Sequence, residues 1–184
     1  MDYKDIKNKD SFIKFRDEQL NKLKQLLTNW TESKYKKSVL LSYWFNDYIR
    51  LLKHEDKFKN QGQYQKYKRG QILFVNFGYR IGHELGGNHY CVVISKKDSI
   101  YSGNITVIPL RSFKGKINHK FQVDLKAKEL SKKSIADINQ ITTISKSRII
   151  NPIRSNDTLS GVRLDSHYLD KINLKVKELF IFDK

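Results

Sequence analysis

Side chains able to do chemistry concentrate in one short segment, Gly78-Tyr79-Arg80-Ile81-Gly82-His83-Glu84-Leu85-Gly86-Gly87-Asn88-His89, which holds four of the nine glycines. Its two histidines have an unperturbed pKa of about 6.5, so either one can give or take a proton near neutrality. His83 and Glu84 could pair as base and orienter, but neighbours in a loop usually point apart, and Glu84 is better read as fixing loop geometry. His83, Glu84 and His89 match no recognised metal-ligand spacing. The lone Cys91 allows neither an intrachain disulfide nor a cysteine cluster. No metal and no cofactor are therefore expected. Gly86-Gly87 lets the backbone pass close to another group or adopt positive φ.

The elements that must position this segment are short and rich in β-formers. Ile72-Leu73-Phe74-Val75-Asn76-Phe77 precedes it, Tyr90–Ser95 follows it, and Ile105–Leu110 comes next. Short runs at this spacing predict a small antiparallel sheet or barrel. A connection of this length exceeds what a tight hairpin needs, and such loops are often functional. Phe121–Leu125 alternates as a further strand and Ile141–Ile144 as another. Leu169, Ile172, Val176 and Leu179 recur at helical spacing and predict a terminal helix from Asp165 or Ser166.

Before about residue 66 the periodicity is helical. Ile13, Leu20, Leu23, Leu27 and Trp30 lie on one stripe of a helix opening near Asp10-Ser11, and Thr31-Glu32-Ser33 offers a stop and a new N-cap. Apolar side chains between Ser38 and Leu52 cover most of a second helix, which predicts burial against the first helix and against either the C-terminal region or a second subunit. The division expected is a helical hairpin at 1–66 and a β-rich domain at 67–184.

The chain has 184 residues, 39% of them apolar and 12% aromatic, enough for a core and too few polar tracts for wholesale disorder. Its 36 Lys+Arg exceed 19 Asp+Glu, leaving +17 at pH 7. A surplus that large points to a polyanionic partner, nucleic acid first. The excess is shared almost evenly by the two regions, so charge alone does not locate a site. The start of the chain lacks an apolar signal core and no stretch is long enough to cross a bilayer, so a cytoplasmic protein with no membrane partner is expected.

The order of five segments adds a resemblance. Arg69–Gly78, then Ile81-Gly82-His83-Glu84-Leu85-Gly86-Gly87, then Cys91–Ser95, then Thr106-Val107-Ile108-Pro109-Leu110, and finally Asn139-Gln140-Ile141-Thr142-Thr143-Ile144-Ser145-Lys146-Ser147-Arg148 resemble the MazF/PemK family of toxin endoribonucleases. The resemblance covers roughly residues 67–184. It implies an α+β fold, a small SH3-like antiparallel β-barrel with a C-terminal helix, here preceded by the helical hairpin. It further implies a homodimer and an acidic antitoxin partner. The activity implied is metal-independent cleavage of single-stranded RNA, with attack by the 2′-hydroxyl and formation of a 2′,3′-cyclic phosphate.

Two departures stand at the family's functional positions. His89 occupies the place of the usual Arg after the Gly-Gly turn, and Arg111, followed by Ser112, the place of the usual hydroxyl residue. One interpretation exchanges the roles: His89 transfers protons, Arg111 neutralises the phosphate with its planar fork, and Ser112 supplies a hydroxyl. Arg80, His83, Glu84, Gly86, Gly87, Asn88, Lys114, Thr143 and Arg148 are the candidate RNA-binding residues, with Lys96, Lys97 and Lys116 as further backbone contacts. Tyr79 could stack on a base, and Tyr90 reads better as a barrel residue. Two alternatives stay open: a non-catalytic DNA gyrase poison on the same fold, and an inactive RNA-binding module in which residues 1–66 do the main work.

Overall fold

A computed structural model of the chain describes residues 6, 8–61, 63–125, 130, 133–152 and 162–181. Two helices come first, α1 (Lys9–Ser33) and α2 (Tyr35–Gln61). Asn8 caps α1 reciprocally: its side chain accepts from the Ser11 amide at 2.9 Å while Ser11 Oγ accepts from the Asn8 amide at 3.1 Å. That capping box satisfies two otherwise unpaired donors and places the start at the expected position. The helix closes where the Lys34 amide donates to Trp30 O at 2.8 Å. Ser38 Oγ, buried, donates to Leu27 O and ties the two helices as a hairpin. The second helix is longer than the Ser38–Leu52 stretch expected from its apolar residues.

The wide burial predicted for α2 is not found in the single chain. Tyr43 is 70% exposed, and Leu40, Tyr48, Ile49 and Leu52 are exposed with it. By compactness the chain divides within α2, between Asn46 and Asp47, into two units. The later part of α2 goes with the β-rich unit, where Asp47 Oδ2 accepts from Asn76 Nδ2 at 3.0 Å.

That unit carries β1 (Ile72–Asn76), β2 (Asn88–Val93), β3 (Asn104–Ser112), β4 (Gln122–Leu125), β5 (Ser134–Asp137), β6 (Thr142–Ser145) and β7 (Ile149–Pro152), followed by α3 (Ser166–Phe180). All pairings are antiparallel, in the order β4-β5-β3-β2-β1-β7 with β6 also on β3. This is the α+β fold anticipated. Strand β3 changes partner along its length, pairing β6 through Asn104–Val107 and β5 through Leu110–Ser112. Pro109 sits at the change, where its missing amide removes a ladder donor.

Both faces of the central strands are buried. Ile72, Val92 and Ile108 join Leu125, Ile138 and α3's Ile172 in one core, with Tyr168, Leu169 and Val176 packed against it. Leu73, Val75, Cys91, Val93, Val107 and Ile144 form a second core with Tyr67 and Phe77. Strand alternation assigns successive residues to the two cores, which is why these runs read as continuously apolar. Strands β5 and β7 were not anticipated. Each is four residues long, and β5 owes its conformation to neighbours on both sides, Leu110 to Ser112 and Gln122 to Leu125.

Candidate active site

The glycine-rich loop is a folded element with its own internal bonds. Gly87 donates to Gly78 O at 2.7 Å and accepts from the Phe77 amide at 2.9 Å, closing the loop at its base. A Cβ on Gly86 would stand 2.7 Å from Gly78 O and 3.2 Å from the Arg80 side chain, while Gly87 has φ +80°. The first position thus needs glycine for close approach, the second for its left-handed backbone. Arg80 Nε donates to Phe77 O at 3.0 Å, and Arg80 Nη1 lies 3.7 Å from Glu84. Gln140 fastens the far side, its Oε1 accepting from the Leu85 amide at 3.0 Å and its Nε2 reaching His83 O at 3.5 Å. Beneath the loop is a pocket of about 170 Å³, bordered by Arg80, Glu84, Leu85, Pro109, Gln140 and Thr142.

His89 lies in strand β2, which starts two residues earlier than its apolar run implies. The β2–β3 ladder ends at Cys91 and Pro109; His89 and Arg111 each lie two residues beyond it on their strands, near enough for the Arg111 charge to act on the imidazole. The His89 imidazole is half-buried, and loss of water pushes its pKa below the ordinary value. The Arg111 charge pushes the same way, while the backbones of Leu110 and Gly86, acting as hydrogen-bond partners, oppose the shift. The result is an imidazole favoured in its neutral form near pH 7, beside a guanidinium.

That guanidinium has a partner the sequence reading missed. Arg111 Nη1 is 3.2 Å from Asp137 Oδ2 on β5, and the aspartate side chain is only 3% exposed. Gln122 Nε2 also reaches Asp137 Oδ2, at 3.4 Å, whereas Asp137 Oδ1 is buried without a hydrogen-bond partner among the described residues. Asp137 escaped notice because β5 itself was not anticipated. The signal lay in Ser134-Ile135-Ala136-Asp137, whose carboxylate follows a short apolar run next to the predicted strand Phe121–Leu125.

The other candidates separate. Arg148 comes to the loop: its Nη1 donates to Asn76 O at 3.4 Å, and its pKa is lowered by burial and by the nearby Arg80 charge, with Tyr48 opposing. Alternation sends Ser112 to the opposite side of β3 from Arg111, and Asn88 likewise to the opposite side of β2 from His89. His83 and Lys114 are exposed, His83 held by its backbone carbonyl. Thr143 is not brought to the loop; it pairs with Thr106, their hydroxyls 3.1 Å apart, on a pocket with Ser95, Ser99 and Asn104. Tyr90 stacks against Phe74, ring centroids 5.0 Å apart. Burial pushes the Cys91 thiol well up, so it is no nucleophile. Among the described residues no cluster of three His, Cys, Asp or Glu could hold a metal, and no helix is long and apolar enough to cross a membrane.

A small antiparallel sheet backed by a C-terminal helix, with a glycine-rich loop leading into His89, defines a class of compact, basic α+β proteins. The chain belongs to the PemK-like, MazF-like toxins of type II toxin-antitoxin systems, whose family model matches residues 68–180. Among solved structures, MazF from Deinococcus radiodurans is similar in fold, at 18% identity and TM-score 0.50, covering 65% of this chain and all of the other. An endoribonuclease in complex with its cognate antitoxin from Mycobacterial species is 15% identical, with TM-score 0.48, covering 64% of this chain and 97% of that one. No match is found among curated proteins.

Proposed function

We propose that the protein is the toxin of a toxin-antitoxin pair and an endoribonuclease that cuts single-stranded RNA without a metal. Neutral His89 takes the proton of a ribose 2′-hydroxyl, and the oxygen attacks the adjacent phosphorus. The bond from phosphorus to the 5′-oxygen breaks, leaving a 2′,3′-cyclic phosphate and a 5′-hydroxyl that takes its proton from water. Arg111, oriented by Asp137, neutralises the charge that builds on the phosphoryl oxygens. Arg80 and Arg148 add positive charge at the loop, and Gln140 keeps the loop closed on itself.

The observation carrying this reading is the pairing of a half-buried imidazole of depressed pKa with an arginine anchored on a buried carboxylate. A general base must be neutral at working pH and close to a phosphate-binding group, and the lowered pKa of His89 and the nearness of the Arg111 charge support both. Ser112, on the alternate side of β3, is left out of the proton transfer. The family's toxin-antitoxin association supports an acidic antitoxin that competes for the same cations, and a homodimer as the working form.

Incubation of the full chain with single-stranded RNA in excess chelator tests the reading. Cleavage with a 2′,3′-cyclic phosphate end is expected, reduced at least about a hundredfold in His89→Ala and in Arg111→Ala. Intact RNA, or normal cutting by both variants, overturns it.

A further inference from the structure

A second cationic feature lies at the other end of β2. There a pocket of about 490 Å³ is lined by Lys66, Lys68, Arg69, Lys96, Lys97 and Arg163. Three chain segments supply them: the approach to β1, the turn after β2, and the residue bridged to Gln71. Tyr67 and Asp98 complete the wall.

The one carboxylate in this wall does not neutralise the rim, because it is already used from below. Asp98 Oδ1 is 2.9 Å from Lys146 Nζ, both side chains 2–3% exposed, and Asp98 Oδ2 accepts from the Tyr67 amide at 2.8 Å. Burial, reinforced by the Asp98 charge, pushes the Tyr67 hydroxyl up to about 12, so it stays neutral. Among the described residues none of the six rim cations has an ion-pair partner. Two of them are also held in place. Arg69 donates to Ile94 O and Asn173 Oδ1, and Arg163 donates to Arg69 O through Nε at 3.1 Å and Nη2 at 2.8 Å. Each guanidinium has five N–H groups, so donors remain for a ligand while the side-chain ordering cost is already met.

We propose that this pocket is a phosphate-backbone subsite that holds single-stranded RNA apart from the cleavage centre, an inference that rests on RNA being the substrate class. An acidic peptide is the less suitable occupant. Peptide docking draws on apolar or aromatic anchors, and the only aromatic residue in this wall, Tyr67, is 6% exposed. Phosphates need only cations. His89 and Lys96 are seven residues apart, so at most about 25 Å of extended chain separates them. One single strand of the length that small barrels accommodate, about 4–16 nucleotides, can engage both.

The test uses the full chain and a fluorescent 12-nucleotide single strand in which every ribose carries a 2′-O-methyl group, so that it cannot be cut. Binding is followed by anisotropy across a salt series for the native protein, for Lys66→Gln/Lys68→Gln/Lys97→Gln, and for a control, Lys120→Gln/Lys171→Gln/Lys177→Gln, of equal charge. The pocket variant is expected to bind at least about tenfold more weakly and to lower the slope of log K against log salt by about 2, from roughly 0.7 per lost phosphate contact. The control is expected to change both much less. Equal losses in the two variants, or no loss in the pocket variant, overturn the subsite. So does a polyglutamate peptide that loses affinity in the pocket variant while the RNA does not. If the native protein leaves ordinary RNA uncut yet the uncleavable strand still depends on the pocket lysines, the cleavage mechanism falls and the subsite stands.

Discussion

The two ends of β2 make an instructive pair. At the Asn88 end, Arg111 is paired with a buried carboxylate, Asp137, and its charge acts on His89; at the Val93 end, six cations ring a carboxylate, Asp98, whose charge is met by buried Lys146. Both ends carry cations suited to a polyanion. Only the first has a group that can exchange a proton near neutrality, and that group is pushed further toward its neutral form by burial and by Arg111. On the proposed mechanism, then, the number of charges does not mark the site of chemistry. What that mechanism relies on is a titratable side chain held half out of water near a cation that is itself anchored by a buried carboxylate.

The sharpest way to break the comparison is to damage the support at each end. Lys146→Met leaves Asp98 buried without its cation, and a loss of about 3–5 kcal/mol in unfolding free energy is expected by denaturant titration. A loss under about 1 kcal/mol would mean that the Asp98–Lys146 pair is not a structural anchor. His89→Ala should instead leave unfolding nearly unchanged and reduce RNA cleavage at least about a hundredfold, about 2.7 kcal/mol of barrier. Comparable damage to stability in that variant would make His89 a structural residue.

Smaller effects sharpen the contrast. Asp137→Asn keeps the side-chain size but removes the charge that orients Arg111, so cleavage is expected to fall about tenfold with Arg111 still present. Arg111→Ala in the same background should then cost less than it does alone, because the two act as a unit. The pH profile gives the finest test. A base of lowered pKa is neutral above that pKa and protonated below it, so kcat/KM should hold near pH 7 and decline only below about 6.5. Removing the Arg111 charge eliminates one of the causes lowering the His89 pKa, so the acid limb of the residual activity should move to higher pH. A limb that stays in place would separate His89 from Arg111.

Much of the β-rich unit was legible in the amino-acid pattern. Ile72–Asn76 and the strand through Cys91-Val92-Val93 announce themselves as short continuous apolar runs rich in β-formers, and the Leu169–Val176 helix because its apolar residues repeat with the helical period. Segment boundaries were less legible. His89 reads as the last residue of a loop, yet it is in a strand, because pairing with β1 extends the ladder past the apolar run to Asn88. Strand β5 was harder to read: its signal, Ser134-Ile135-Ala136-Asp137, is short, and its four residues gain their conformation from Leu110–Ser112 on one side and Gln122–Leu125 on the other. The exposed apolar face of α2 is the converse case, since helical periodicity predicted burial that the single chain does not provide.

By itself the sequence determined the kind of protein: a basic chain with a helical beginning, a β-rich remainder, and a Gly-Gly loop followed by His89 and, later, Arg111. These are local properties of composition, period and order. Tertiary structure alone decided which charges meet. Folding of β2 beside β3 brought the Arg111 charge to His89, the unforeseen β5 placed Asp137 against that arginine, and alternation removed Ser112 from its face. The same folding sank Lys146, which the sequence shows only as one lysine among many, beneath the pocket at the opposite end. Pairing register and burial depend on residues far apart in the chain, and for that reason no local pattern could contain them.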